Sequence, residues 1–124
     1  MQATFVETTD FTEWVTEFLP DDLYSRVQYE LMNEPDRGAV MPGCGGLRKL
    51  RTADPRRGKG RRGGARLIYL YVPDIRCFYM VDIYGKDEKE DLSSDDKNAL
   101  RQLADTLKIE AKQARIRSAK KGKK

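Results

Sequence analysis

The sequence predicts an α+β domain: a small antiparallel β-sheet with two N-terminal helices and one C-terminal helix. Three observations predict it. Apolar side chains at Phe11, Trp14, Val15 and Phe18, and then at Leu23, Val27 and Leu31, recur at helical spacing. Two runs rich in aliphatic and tyrosine residues, 65–72 and 76–84, flank the short turn Pro73-Asp74, the pattern of an antiparallel hairpin. A last helical stripe comprises Leu100, Leu103, Ala104, Leu107 and Ala111. At 124 residues and 39% hydrophobic content, the chain supports one modest core.

In order, residues 3–7 read as a short first strand. Asp10 with Glu13 resembles a capping box that opens the first helix, and Trp14 belongs to its core face. Pro20 suits the first turn of the second helix, with Asp21 and Asp22 at its positive dipole end. That helix should stop near Asn33-Glu34-Pro35, because proline disfavours helical geometry in the residue before it. A turn-rich loop leads to the strand 47–52, a basic glycine-rich loop fills 54–64, and the hairpin strands follow. Ser93 with Asp95 and Asp96 is a good N-terminus for the last helix. Its pattern thins near Lys112, so the domain is assigned to 1–111 and a basic, disordered tail to 112–124.

Several chemistries are excluded. No run approaches about 18 apolar residues, so no membrane-spanning helix is expected. The N-terminus lacks the basic start and apolar stretch of a signal peptide. There is no histidine, which removes Ser-His-Asp and Cys-His nucleophile pairs, histidine-bound metals and a histidine acid–base pair for RNA cleavage. The two cysteines, Cys44 and Cys77, are expected to be reduced thiols of a cytoplasmic protein.

The net charge of +4 hides strong segregation. Residues 1–47 carry −7, 48–66 carry +8, 67–110 carry −4 and 111–124 carry +7. Two basic blocks on an acidic body concentrate positive potential, and the polyanion that fits is nucleic acid. Gly58-Lys59-Gly60-Arg61-Arg62-Gly63 matches G-x-G-x-x-G literally, but it joins two strands instead of a strand and a helix, so it is no dinucleotide fingerprint. Its glycines instead leave the backbone unobstructed while Arg56, Arg57, Lys59, Arg61 and Arg62 reach a phosphate chain, with Arg48 as a further RNA contact.

Within the strand 47–52, Leu47, Lys49 and Arg51 share one face and Arg48 and Leu50 the other. If the strands are neighbours, Lys49, Arg51, Arg66 and Lys86 converge at one end of the sheet. Such cations can hold a scissile phosphate and stabilise the charge of its transition state. Crowded together they also depress one another's pKa values, which favours proton transfer by a lysine. Tyr69, Tyr71, Phe78 and Tyr79 could stack on bases, but strand spacing favours core packing.

The blocks Gly45-Gly46-Leu47-Arg48-Lys49-Leu50-Arg51, Gly63-Gly64-Ala65-Arg66-Leu67-Ile68-Tyr69 and Tyr84-Gly85-Lys86-Asp87-Glu88, in that order, resemble the RelE superfamily, specifically the HigB-like toxins of type II toxin–antitoxin systems. The resemblance runs from about residue 3 to 110. It implies the RelE-like microbial RNase fold. It also implies a metal-independent, cofactor-free endoribonuclease that cuts mRNA in the ribosomal A site and blocks translation. The implied partners are the ribosome, mRNA and a HigA-type DNA-binding antitoxin.

By this resemblance Arg66 matches the arginine that contacts the scissile phosphate. Lys49 matches a strand lysine for phosphate contact or proton transfer, and Lys86 sits in the Gly-Lys motif. The sequence departs from the pattern in three places. Leu47 replaces a companion lysine, Asp87 follows Lys86 where RelE has an arginine, and Ser93 stands at the place of a catalytic tyrosine, for which Tyr84 is the stand-in. The rivals are a ParE-like gyrase poison on the same fold and a non-catalytic RNA-binding protein.

Overall fold

The computed structural model describes residues 2–53, 64–85 and 92–122, with 118–122 by backbone alone. The elements are β1 (Thr4–Glu7), α1 (Thr9–Phe18), α2 (Asp21–Asn33), β2 (Ala39–Val40), β3 (Arg48–Thr52), β4 (Ala65–Val72), a 3₁₀ turn (Pro73–Ile75), β5 (Cys77–Gly85) and α3 (Ser94–Gly122). One five-stranded sheet has the order β1-β5-β4-β3-β2.

The α+β class and the three helices are as the sequence predicts. The sheet, however, is mixed: β1 runs parallel to β5, pairing Phe5 with Phe78. No tight turn joins these two strands, only the whole intervening chain, so nothing local imposes an antiparallel pairing. The two-residue β2 is too short to leave an alternation in the sequence.

The sheet separates two apolar cores. Phe11, Val15, Phe18, Val27 and Leu31 from α1 and α2 meet Leu50, Leu67, Tyr69, Phe78 and Met80 on one face. On the other, Ala104, Leu107 and Ala111 of α3 meet Leu47, Ile68, Leu70, Tyr79 and Val81. Tyr69 and Phe78 are fully buried and Phe5 stacks on Phe78 at 4.8 Å, so these rings pack the core rather than offering base-stacking platforms. Both cysteines are buried free thiols. Trp14 is not core: it is 49% exposed, because Phe11, Val15 and Phe18 already fill the inward stripe of α1.

Local chemistry sets the helix ends. Thr8, not Asp10, caps α1: its hydroxyl accepts from the Phe11 amide at 3.2 Å and donates to the Val81 carbonyl at 2.7 Å, fastening the helix start to β5. Pro20 sits at the N-cap of α2, one position earlier than expected. The α2 helix ends at Asn33, as Pro35 requires. Ser93 and Asp96 form a reciprocal cap, each backbone amide donating to the other's side chain.

The α3 helix does not stop near Lys112. It continues to Gly122, since residues 112–121 include no glycine or proline and are rich in lysine, arginine and alanine. Positive side chains near a helix C-terminus also complement its dipole. Arg115 reaches back to Asp74 in the 3₁₀ turn at 3.3 Å.

Candidate functional site

The hairpin register decides what gathers. Arg51 on β3 is opposite Arg66 on β4, and Arg66 is opposite Tyr84 on β5. Residues directly opposite in antiparallel pairs project from the same face. The three side chains therefore form one cross-strand row on the α3 side of the sheet. Lys49 lies two residues along β3 from Arg51, on the same face, opposite Ile68.

Burial grades the row. Arg51 is exposed, Lys49 half-buried, Arg66 8% exposed and Tyr84 6% exposed. Arg66 Nη1 donates to the Ala65 carbonyl at 3.4 Å. Burial pushes the Tyr84 phenol above the usual tyrosine range; the charge of Asp82 pushes the same way, and Arg66 opposes it. At neutral pH Tyr84 is thus a protonated phenol beside a guanidinium, able to donate.

Two hollows adjoin the row. One, of about 220 Å³, is lined by Val40, Met41, Pro42, Cys44, Lys49 and Lys97 among others. The other, of about 160 Å³, lies between β5 and the start of α3 and includes Ile68, Asp82, Tyr84 and Leu92. Among the described residues, no three His, Cys, Asp or Glu side chains gather as metal ligands would.

Arg48 is not brought to the row. It lies on the opposite face, where its Nη1 donates to the carbonyls of Gly38 at 2.7 Å and Asp36 at 3.1 Å. Tyr69 holds the same loop, donating to the Pro35 carbonyl at 2.7 Å and accepting from the Gly38 amide at 2.9 Å. Gly38 is required there: a Cβ would stand 2.8 Å from the Tyr69 ring. Arg56, Arg57, Lys59, Arg61, Arg62 and Lys86 lie outside the described residues.

Asp82 is the residue that sequence reading missed on this face. A β-bulge brings it there: partners step from Tyr69↔Met80 to Ile68↔Asp82, leaving Val81 as the extra residue. Alternation alone assigns Asp82 to the α1–α2 side.

Residues 29–124 match the family model described as the RelE toxin of the RelE/RelB toxin–antitoxin system. The match leaves out β1 and α1 but includes the basic C-terminal segment. Among solved structures, a mutant E. coli RelE toxin in the free state is similar at 16% identity, covering 73% of this chain and 90% of that one, with a TM-score of 0.48. The isolated E. coli RelE toxin is similar at 16% identity, covering 82% and 99%, with a TM-score of 0.47. Since the family match spans well over half of the chain, the protein belongs to the RelE toxin family of toxin–antitoxin systems.

Proposed function

We propose that the protein is a HigB-like, ribosome-dependent endoribonuclease that cuts mRNA in the A site and so stops translation, without a metal ion. The observation that supports this reading is the row Arg51–Arg66–Tyr84, with Lys49 one step along the same face. In the reaction the ribose 2′-hydroxyl attacks the adjacent phosphate, leaving a cyclic phosphate and a free 5′-hydroxyl. Arg66 and Arg51 stabilise the charge that develops on the phosphorane oxygens, as fixed cations do at a developing oxyanion. Lys49 and Lys86 hold the phosphate and assist the proton transfers made at it. Tyr84, buried and protonated, is the donor nearest Arg66 along the row.

The block 56–62 grips the mRNA or rRNA backbone. Each phosphate it neutralises releases counterions, so association falls steeply with salt. A HigA-type antitoxin holds the toxin inactive, and the working compartment is the cytoplasm. The test is inducible expression with simultaneous pulses of labelled methionine and thymidine. Translation stopping first supports the reading; replication stopping first favours a gyrase poison; binding to ribosomes without any cleaved mRNA favours a non-catalytic RNA-binding protein.

A further inference from the structure

Cleavage by an internal hydroxyl needs a proton acceptor as well as cations. An arginine guanidinium does not give up its proton in a protein. The bulge at Val81 supplies a carboxylate on the same face: Asp82 stands in a row with Ile68 and Lys49. Along its own strand Tyr84 lies about 7 Å away, and Lys49 is about 10 Å away across two strands. Arg66 is the diagonal neighbour, about 7–8 Å from it between backbones and well within an arginine's reach. Asp82 Oδ1 accepts from the Ile83 amide at 2.9 Å, which fixes the carboxylate's orientation. From α3 one further carboxylate, Asp96, lines the same hollow, and its Oδ2 accepts the Ser93 amide of the helix cap at 3.2 Å.

We propose that Asp82 is the general base of the cleavage, taking the proton of the attacking 2′-hydroxyl while Tyr84 gives its phenolic proton to the departing 5′-oxygen. The inference rests on the ribonuclease reading above. The O2′–phosphorus bond forms as the phosphorus–O5′ bond breaks. The RNA products are a 2′,3′-cyclic phosphate and a 5′-hydroxyl. Asp82 is left protonated and Tyr84 ionised, and one proton passed through water restores both. The raised pKa of Tyr84 keeps its proton available for this step at neutral pH. The groups facing Asp82 are Lys49 and Arg66 from the neighbouring strands, Tyr84 from its own, and Asp96 from α3.

The experiment is single-turnover cleavage of mRNA on programmed ribosomes, from acid to neutral pH, with ribosome binding measured alongside. Asp82→Asn keeps an oxygen to accept from the Ile83 amide but cannot take a proton. It is expected to bind ribosomes as wild type does and to cleave at least about 100-fold more slowly, the usual scale for a lost general base. The rise in rate with pH on the acid side, present in wild type, is expected to vanish, and Asp82→Glu to restore part of the rate.

An mRNA with sulfur in place of the scissile 5′-oxygen separates the two roles, because a thiolate leaves without protonation. On it Tyr84→Phe regains activity and Asp82→Asn does not. Near-wild-type cleavage by Asp82→Asn, or its rescue by the sulfur substrate, overturns the proposal. Failure of the wild-type protein to cleave at all overturns the ribonuclease reading instead.

Discussion

The same three strands present two different surfaces. On the α1–α2 side, Leu50, Leu67 and Ile83 form one cross-strand row, 7%, 0% and 2% exposed. One residue further along, on the α3 side, Arg51, Arg66 and Tyr84 form the next row. Strand alternation thus places stability and candidate chemistry back to back, within a single residue step. The cations are oriented by a rigid pleat whose reverse face is closed by α1 and α2, and this matters because a site on strands holds its geometry better than one on loops.

That separation can be tested by adjacent substitutions. Leu67→Ala, on the closed side, is expected to cost about 2–5 kcal/mol in equilibrium urea unfolding while leaving cleavage per folded molecule unchanged. Its neighbour Arg66→Ala should instead remove cleavage while cooperative unfolding persists. Equal loss of stability and activity in both variants would break the comparison.

Alkaline pH probes the tyrosines of both faces. Burial, with Cys77 and Glu110 adding to it, raises Tyr79 from 10.0 to about 12, and burial raises Tyr69 and Tyr84 too. An unfolded phenol ionises near 10.0 and the folded ones later. Each contribution is therefore complete below the unfolded value of 10.0 and lost as pH rises through the folded one, about 12 for Tyr79. Unfolding curves from pH 8 to 12 should show this fall, and Tyr79→Phe should make it shallower.

Smaller effects lie at the edges of the helices and turns. Ser93→Ala removes half of the reciprocal cap at the start of α3 and should cost about 1 kcal/mol, read as a lower thermal midpoint. Arg76 holds a left-handed conformation at φ 48°, so Arg76→Gly should stabilise by up to about 1 kcal/mol, with cleavage unchanged.

The sequence carries this arrangement as far as local pattern reaches. Pro73-Asp74 between two apolar runs sets the hairpin, and the alternation of Lys49, Leu50 and Arg51 assigns each to its face. What escapes is set by contacts distant in the chain. Asp82 escapes simple alternation because one bulged residue reverses the parity of everything beyond Val81. Arg48 looks like another cation for RNA, yet its guanidinium holds carbonyls 10 and 12 positions earlier in the chain. Trp14 satisfies the helical spacing of a core residue but falls beside a stripe that three other side chains already complete. The parallel pairing of β1 with β5 depends on strands more than 70 positions apart, as in Thr4 with Cys77.

The proposed reaction rests on cations of one pleated face holding the scissile phosphate and stabilising the charge that develops on it. Mapping mRNA 5′ ends after induction of the wild-type protein and of Arg66→Ala tests it most directly. New 5′-hydroxyl ends within translated codons are expected for the wild type, and none for a folded, ribosome-binding Arg66→Ala. Identical end maps from the two proteins would contradict it.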